Sequence, residues 1–106
     1  MNDDLEIAIL TGIFDARAGA EETLAAILAR YVVMTRHERA CRNVDLVTSL
    51  THGGRFLVIE KWESADAVQE HLDSSLMTEM AREALPTLAE QPVFDLYDTI
   101  SAHDLM

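Results

Sequence analysis

The sequence predicts an α+β fold of the ferredoxin-like kind, in the order β-α-β-β-α-β with one four-stranded antiparallel sheet. Three observations lead there. Apolar runs of period two alternate with segments of period three to four. A Gly-Gly pair, Gly53-Gly54, joins the two middle runs as a hairpin. No linker, low-complexity stretch or internal repeat on the scale of roughly 20–50 residues interrupts the 106-residue chain.

The first strand is expected over 6–14 (EIAILTGIF), with Ile7, Ile9 and Ile13 on one face and Ala8, Leu10, Gly12 and Phe14 on the other, so both faces need cover. After Asp15 the period changes. Leu24, Ile27, Leu28, Tyr31 and Met34 or Thr35 recur at helical spacing, with Gly19 as N-cap and Glu21 and Glu22 in the first turn, where the helix dipole favours anions. Arg36, His37 and Arg39 suit the negative end of the same dipole.

Residues 42–50 (RNVDLVTSL) alternate as a half-buried second strand, with Val44, Leu46, Thr48 and Leu50 on one side. Thr51-His52-Gly53-Gly54 turns the chain into a third strand over 55–63 (RFLVIEKWE), and His52 at the tip reads as solvated. Ser64 caps the next helix, which has Asp66 in its first turn and Ala67, Val68, His71 and Leu72 on one side; residues 73–75 (DSS) are a break or a new cap. Met77, Met80, Ala81, Ala84, Leu85 and Leu88 continue the helical pattern to Pro86, which lacks a backbone donor and bends or ends it. Residues 93–100 (VFDLYDTI) form the last strand, and 101–106 a frayed tail. One domain over 1–106 is expected, with its core at about 6–100. Both helices lie on one face of such a sheet, and the first and third strands still carry apolar side chains on the other. A second copy of the chain is the economical cover, so a homodimer is expected.

Composition narrows the partners. Eight Lys+Arg against 19 Asp+Glu give 8 − 19 = −11, and with one Lys, Lys61, there is no basic stripe for nucleic acid or an anionic membrane. The lone Cys41 makes no internal bridge and points to a reducing compartment. The acidic start Met1-Asn2-Asp3-Asp4 and the lack of an apolar run of roughly 20 residues argue against a signal peptide or membrane helix, leaving the cytoplasm as the expected location. There is no Cys/His metal spacing, GxGxxG or P-loop pattern.

Chemistry concentrates around Trp62, the only tryptophan. Glu60, Val58 and Phe56 share its strand face, and His71 follows nine residues later on the next helix. An indole, a carboxylate and an imidazole in one apolar cavity would suit a small aromatic ligand. Each also has a plainer reading: a core Trp, a Glu paired with Arg, and a core histidine satisfied by its neighbours.

At these residues the chain resembles the antibiotic biosynthesis monooxygenase family of small dimeric α+β-barrel proteins. The resemblance rests on Ala18-Gly19 before the first helix, on Glu60-Lys61-Trp62-Glu63-Ser64, and on Ala67, His71 and Ser74 at the family's spacing, and it covers roughly 6–100. It departs in two places: the family's Gly-Cys pair is Ala40-Cys41, and the second histidine of many members is Leu76. Gly12, His71 and Met80 stand where the heme-degrading branch has its Asn, Trp and heme-ligating His, which disfavours heme degradation.

The resemblance implies a homodimer that oxidises a small electron-rich aromatic (a hydroquinone, naphthol or anthrone-like polyketide) with O2 and no cofactor or metal. In that picture His71 is the base, Trp62 stacks on or walls the ring, and Glu60 orients His71 or a water. Phe56, Met77 and Met80 line the substrate, with Phe14 and Phe94 nearby, and Asn43 and Tyr97 are further polar contacts. Two alternatives stand beside it: an isomerase working by proton transfer alone, and a non-catalytic dimer that binds a small hydrophobe.

Overall fold

The structure is a computed structural model that describes residues 6–101; the acidic start and all but Ser101 of the expected tail lie outside the described residues. In chain order it has β1 (Ala8–Asp15), α1 (Glu21–Thr35), β2 (Cys41–Thr48), β3 (Arg55–Trp62), α2 (Ala65–Leu72), α3 (Ser75–Ala84), a 3-10 turn (Leu85–Thr87) and β4 (Val93–Asp98). The sheet runs β2-β3-β1-β4 and every pairing is antiparallel. This is the α+β, ferredoxin-like arrangement that the sequence predicts.

The inner face of the sheet follows from period-two alternation. Ala8, Leu10 and Phe14 of β1 and Val58, Glu60 and Trp62 of β3 point the same way and are buried. Against them α1 lays Leu24, Leu28, Tyr31 and Val32, and α3 lays Met77, Met80 and Ala84. Val68 of α2 packs with Ala8, Leu10 and Trp62. Gly12 leaves room for aromatic rings: a Cβ there would stand 2.9 Å from Phe94 Cε1 and 3.0 Å from Phe14 Cε1. Those two rings meet edge to face at 5.6 Å.

The segment 73–75 resolves as a new cap. Ser64 Oγ accepts from Ala67 N and Ser74 Oγ from Met77 N, so α2 and α3 each start on a serine. The N-cap of α1 is Ala20 rather than Gly19; Gly19 precedes it at φ 90° and its N–H donates to Glu21 Oε1. Of the two alternatives at the end of α1, Thr35 is buried and Met34 faces out. The cations beyond it fall outside the last helical turn: Arg36 is the C-cap and its Nη2 donates to Val44 O.

Two strands end earlier than their apolar pattern suggests. Leu50 is 98% exposed, because Ser49 Oγ accepts from the N–H groups of Thr51 and His52 and turns the chain off the ladder. Ile100 is equally exposed beyond β4. Leu85 also faces out, at the start of the 3-10 turn that contains Pro86. Among the described residues no helix is long and apolar enough to cross a membrane.

Among the described residues, no helix covers the outer face of the sheet. Val47, Leu57, Ile13 and Val93 form one cross-strand row on it, Asp45, Ile59, Thr11 and Asp95 the next, and Asn43, Lys61, Ile9 and Tyr97 the third.

Candidate functional site

Four polar side chains meet between the helices and the sheet. Tyr31 belongs to the helical stripe of Leu24 and Leu28, which aims it inward; Glu60 occupies the inward position of β3 between Val58 and Trp62; His71 lies three residues after Val68 on the buried side of α2. Glu38 reaches in from the connection between α1 and β2. Tyr31 O–H donates to Glu60 Oε2 at 2.5 Å, Tyr31 Oη lies 2.6 Å from His71 Nε2, and His71 Nδ1 lies 2.9 Å from Glu38 Oε2. Trp62 Nε1–H donates to the other Glu60 oxygen at 2.9 Å, and its ring sits 4.6 Å from the imidazole.

Proton counting limits what this chain of contacts can be. Each of the three contacts Glu60–Tyr31, Tyr31–His71 and His71–Glu38 needs one hydrogen between its heavy atoms. Neutral Tyr31 and neutral His71 supply two. The third makes His71 an imidazolium or protonates one of the carboxylates, and in every case the four groups together carry a charge of −1. Moving that proton between Glu60 and His71 needs only two short hops through the Tyr31 hydroxyl.

Burial pushes the Glu60 carboxyl above the usual carboxylate range, against the opposing effects of the Tyr31 hydrogen bond, the His71 charge and the Trp62 hydrogen bond. Burial, reinforced by the charge and hydrogen bond of Glu60, drives the Tyr31 phenol far above its ordinary value. Tyr31 therefore stays protonated, with its hydroxyl between the Glu60 carboxylate and the His71 ring.

Of the residues singled out in the sequence, His71, Trp62 and Glu60 stand together. Phe56 is half-buried on the same sheet face and packs against the main core. Met77 and Met80, with Phe14 and Phe94, line an apolar cavity of about 400 Å³ between α3 and β4. Asn43 and Tyr97 are not brought to this site. They lie on opposite edge strands, in register with Lys61 and Ile9, which face the outer side of the sheet; Asn43 Nδ2 donates instead to Asp45 Oδ2. Sequence reasoning misses Tyr31 and Glu38 as site residues, because a Tyr in an apolar helical stripe reads as core and Glu38 sits inside the basic run Arg36–Arg39.

The buried chain of contacts has two neighbouring openings of different character. A polar cleft of about 450 Å³ lies over His71 and Trp62, walled by Glu38, Arg39, Glu63 and Glu70. On the other side, Met80 lines both the apolar cavity and a pocket of about 20 Å³ that reaches Tyr31. Among the described residues no cluster of three His, Cys, Asp or Glu has an arrangement that could hold a metal ion.

A family model described as antibiotic biosynthesis monooxygenase matches residues 8–83, from β1 almost to the end of α3. No curated protein matches the sequence. Solved structures are similar over nearly the whole chain. Rv0793 from Mycobacterium tuberculosis is 23% identical with a TM-score of 0.85, covering 92% of this chain and 99% of that one. A Deinococcus radiodurans protein described as a candidate antibiotic biosynthesis monooxygenase is 23% identical with a TM-score of 0.84, covering 93% and 98%. Protein SO0527 from Shewanella oneidensis is 24% identical with a TM-score of 0.82, covering 91% and 93%. At these identities the structural likeness speaks for the fold.

Proposed function

The chain belongs to the antibiotic biosynthesis monooxygenase family, and from that premise we propose that it oxidises a small electron-rich aromatic with O2, without metal or flavin, using His71 as the base. The observation that carries this reading is the 2.6 Å contact between His71 Nε2 and a Tyr31 hydroxyl that also bonds Glu60. A phenolic proton of the substrate passes to the Tyr31 oxygen as the Tyr31 proton passes to His71 Nε2. The resulting enolate gives one electron to O2, and the radical pair recombines to a peroxide. Collapse of the peroxide places one oxygen atom in the quinone product and releases the other as water with the two hydrogens the substrate loses. Trp62 and Glu60 hold the imidazole in place, Trp62 by its ring and Glu60 through Tyr31.

In this reading the substrate ring occupies the apolar cavity of Phe14, Met77, Met80 and Phe94, and Met80 is the flexible wall that must swing aside for the substrate hydroxyl to reach Tyr31. Met80→Leu keeps nearly the same volume, so it is expected to cost less than about 1.5 kcal/mol of stability. Its stiffer side chain should lower kcat/KM for a tricyclic anthrone more than for a monocyclic hydroquinone. Oxygen-electrode assays on both substrates check this, and an equal effect on the two removes Met80 from the path.

Isomerisation by proton transfer alone gains support from one observation: Tyr31 and Glu60 provide acid-base groups that the missing histidine at Leu76 does not. Stirring a small hydroxyketone with the protein in D2O separates the two reactions, since deuterium uptake without O2 consumption favours the isomerase. Tight ligand binding with neither outcome favours a non-catalytic hydrophobe-binding protein.

We also propose a single-domain homodimer joined through the outer sheet face. Its charge would be 2 × (−11) = −22, so the rows of Val, Leu and Ile on that face must outweigh the repulsion. Light scattering is expected to give twice the mass of one chain, and Leu57→Asp to return the mass of a single chain; a wild type that scatters as one chain rejects the dimer.

A further inference from the structure

We propose that Glu38 is the proton port of the buried network: protons enter and leave His71 through its carboxylate and the polar cleft, at the opposite side from the apolar cavity. The His71 side chain has 0% of its surface exposed, whereas the Glu38 side chain, bonded to it at 2.9 Å, has 31%. Tyr31, Glu60 and Trp62 are all buried as well. Glu38 is thus the one member of the network in contact with water.

The three-proton count gives this contact a task. With the third proton on Glu60, Nε2 is free to take a proton from Tyr31; the imidazolium this forms must then discharge, and the shortest route is from Nδ1 to the Glu38 carboxylate and then to water. The transfer balances: His71 goes from imidazolium to neutral imidazole, Glu38 is transiently protonated, and the proton ends on solvent. After that discharge the ring holds Nε2–H; Tyr31 then gives its proton to the departing oxygen, Nε2–H passes to the Tyr31 oxygen, and a solvent proton re-enters at Nδ1 through Glu38, which restores the acceptor at Nε2.

The neighbouring groups offer no equal route. Arg39, Glu63 and Glu70 wall the cleft without a hydrogen bond to the ring. Arg36 is committed to Val44 O. The Cys41 thiol donates to Asn43 O, and burial, followed by the charge of Glu60, pushes it up to about 11, so it keeps its proton at neutral pH. The separation also has a chemical benefit: water and protons reach His71 by one opening while the oxidisable substrate stays in the other.

The inference deepens the proposed reaction and takes its catalytic meaning from it, so the test uses the resting protein without substrate. Solvent exchange of the His71 Nδ1–H proton is measured by NMR. Glu38→Gln retains a hydrogen-bond acceptor but cannot carry the proton, and is expected to slow exchange by about a hundredfold. Glu38→Asp keeps the carboxylate and should recover most of the rate, and Glu70→Gln, which removes a cleft charge not bonded to His71, should leave it unchanged. Wild-type exchange in Glu38→Gln, or equal slowing in Glu38→Gln and Glu70→Gln, overturns the port. Slowed exchange in Glu38→Gln alone, with no oxidation of any phenol by the wild type, keeps the port and rejects the proposed reaction.

Discussion

Glu60→Ala is expected to lower the stability by roughly 3–5 kcal/mol, the usual cost of removing one partner from a buried charged cluster. The carboxylate accepts from both Tyr31 O–H and Trp62 Nε1–H, and it lies 3.6 Å from His71 Nε2. Its loss leaves the indole N–H without its acceptor and the phenol with His71 alone as a partner in a dry interior, beside an imidazole that keeps only the Glu38 carboxylate. Glu60→Gln should cost less, about 1–3 kcal/mol, because its amide can still accept from one of the two donors.

The pH dependence of the two proteins, wild type and Glu60→Gln, separates charge from packing. The Glu60 pKa is raised on folding, so the folded protein binds its proton more tightly than the unfolded chain. The stability that this contributes is complete below the ordinary carboxylate range and is lost as pH rises through the raised value. An amide at this position does not titrate, so the Glu60→Gln variant has no such loss. Urea unfolding from pH 4 to pH 8 should therefore show the Glu60→Gln deficit shrinking as pH rises; a deficit that grows with pH would mean that the network stabilises the Glu60 anion more than burial penalises it.

How much of this site the sequence discloses depends on which physical rule places each residue. Alternation along β3 puts Val58, Glu60 and Trp62 on one face, and helical spacing puts His71 beside Val68, so their meeting is readable from local periodicity. Caps at Ser64 and Ser74 are equally local. Tyr31 and Glu38 are different, because their importance comes from contacts 29 and 33 residues away along the chain, which no periodicity contains. Asn43 shows a second limit. The register of β2 shifts between Cys41 and Asn43, so the face of Asn43 depends on a bulge that alternation alone does not predict. Tyr97 shows a third: all six residues of β4 are exposed, so hydrophobic contrast gives no hint of which side faces the helices. The ends of β2 and β4 overshoot for a related reason, as Leu50 and Ile100 extend the apolar pattern beyond the last ladder bonds.

His71→Ala should reduce turnover by about 10²–10⁴-fold, the range for losing a positioned general base. The loss should fall on kcat, with KM little changed, because the His71 side chain is fully buried and offers the substrate almost no binding surface. Tyr31→Phe provides the matching test. Without the hydroxyl, Glu60 and His71 remain 3.6 Å apart, too far for a direct hydrogen bond, and no group carries the substrate proton inward. If Tyr31 is the conduit and His71 the base, the two single variants and the double variant should be nearly equally slow, since each breaks the same path and the effects of residues acting as a unit do not add. Oxygen uptake with a panel of hydroquinones and anthrones, corrected for autoxidation, measures this directly. Added imidazole should restore part of the rate to His71→Ala, by refilling the cavity beside Trp62, and none to Tyr31→Phe. Independent, additive losses in the two variants would instead place Tyr31 and His71 in separate steps, and equal rates in His71→Ala and wild type would remove His71 from the chemistry altogether.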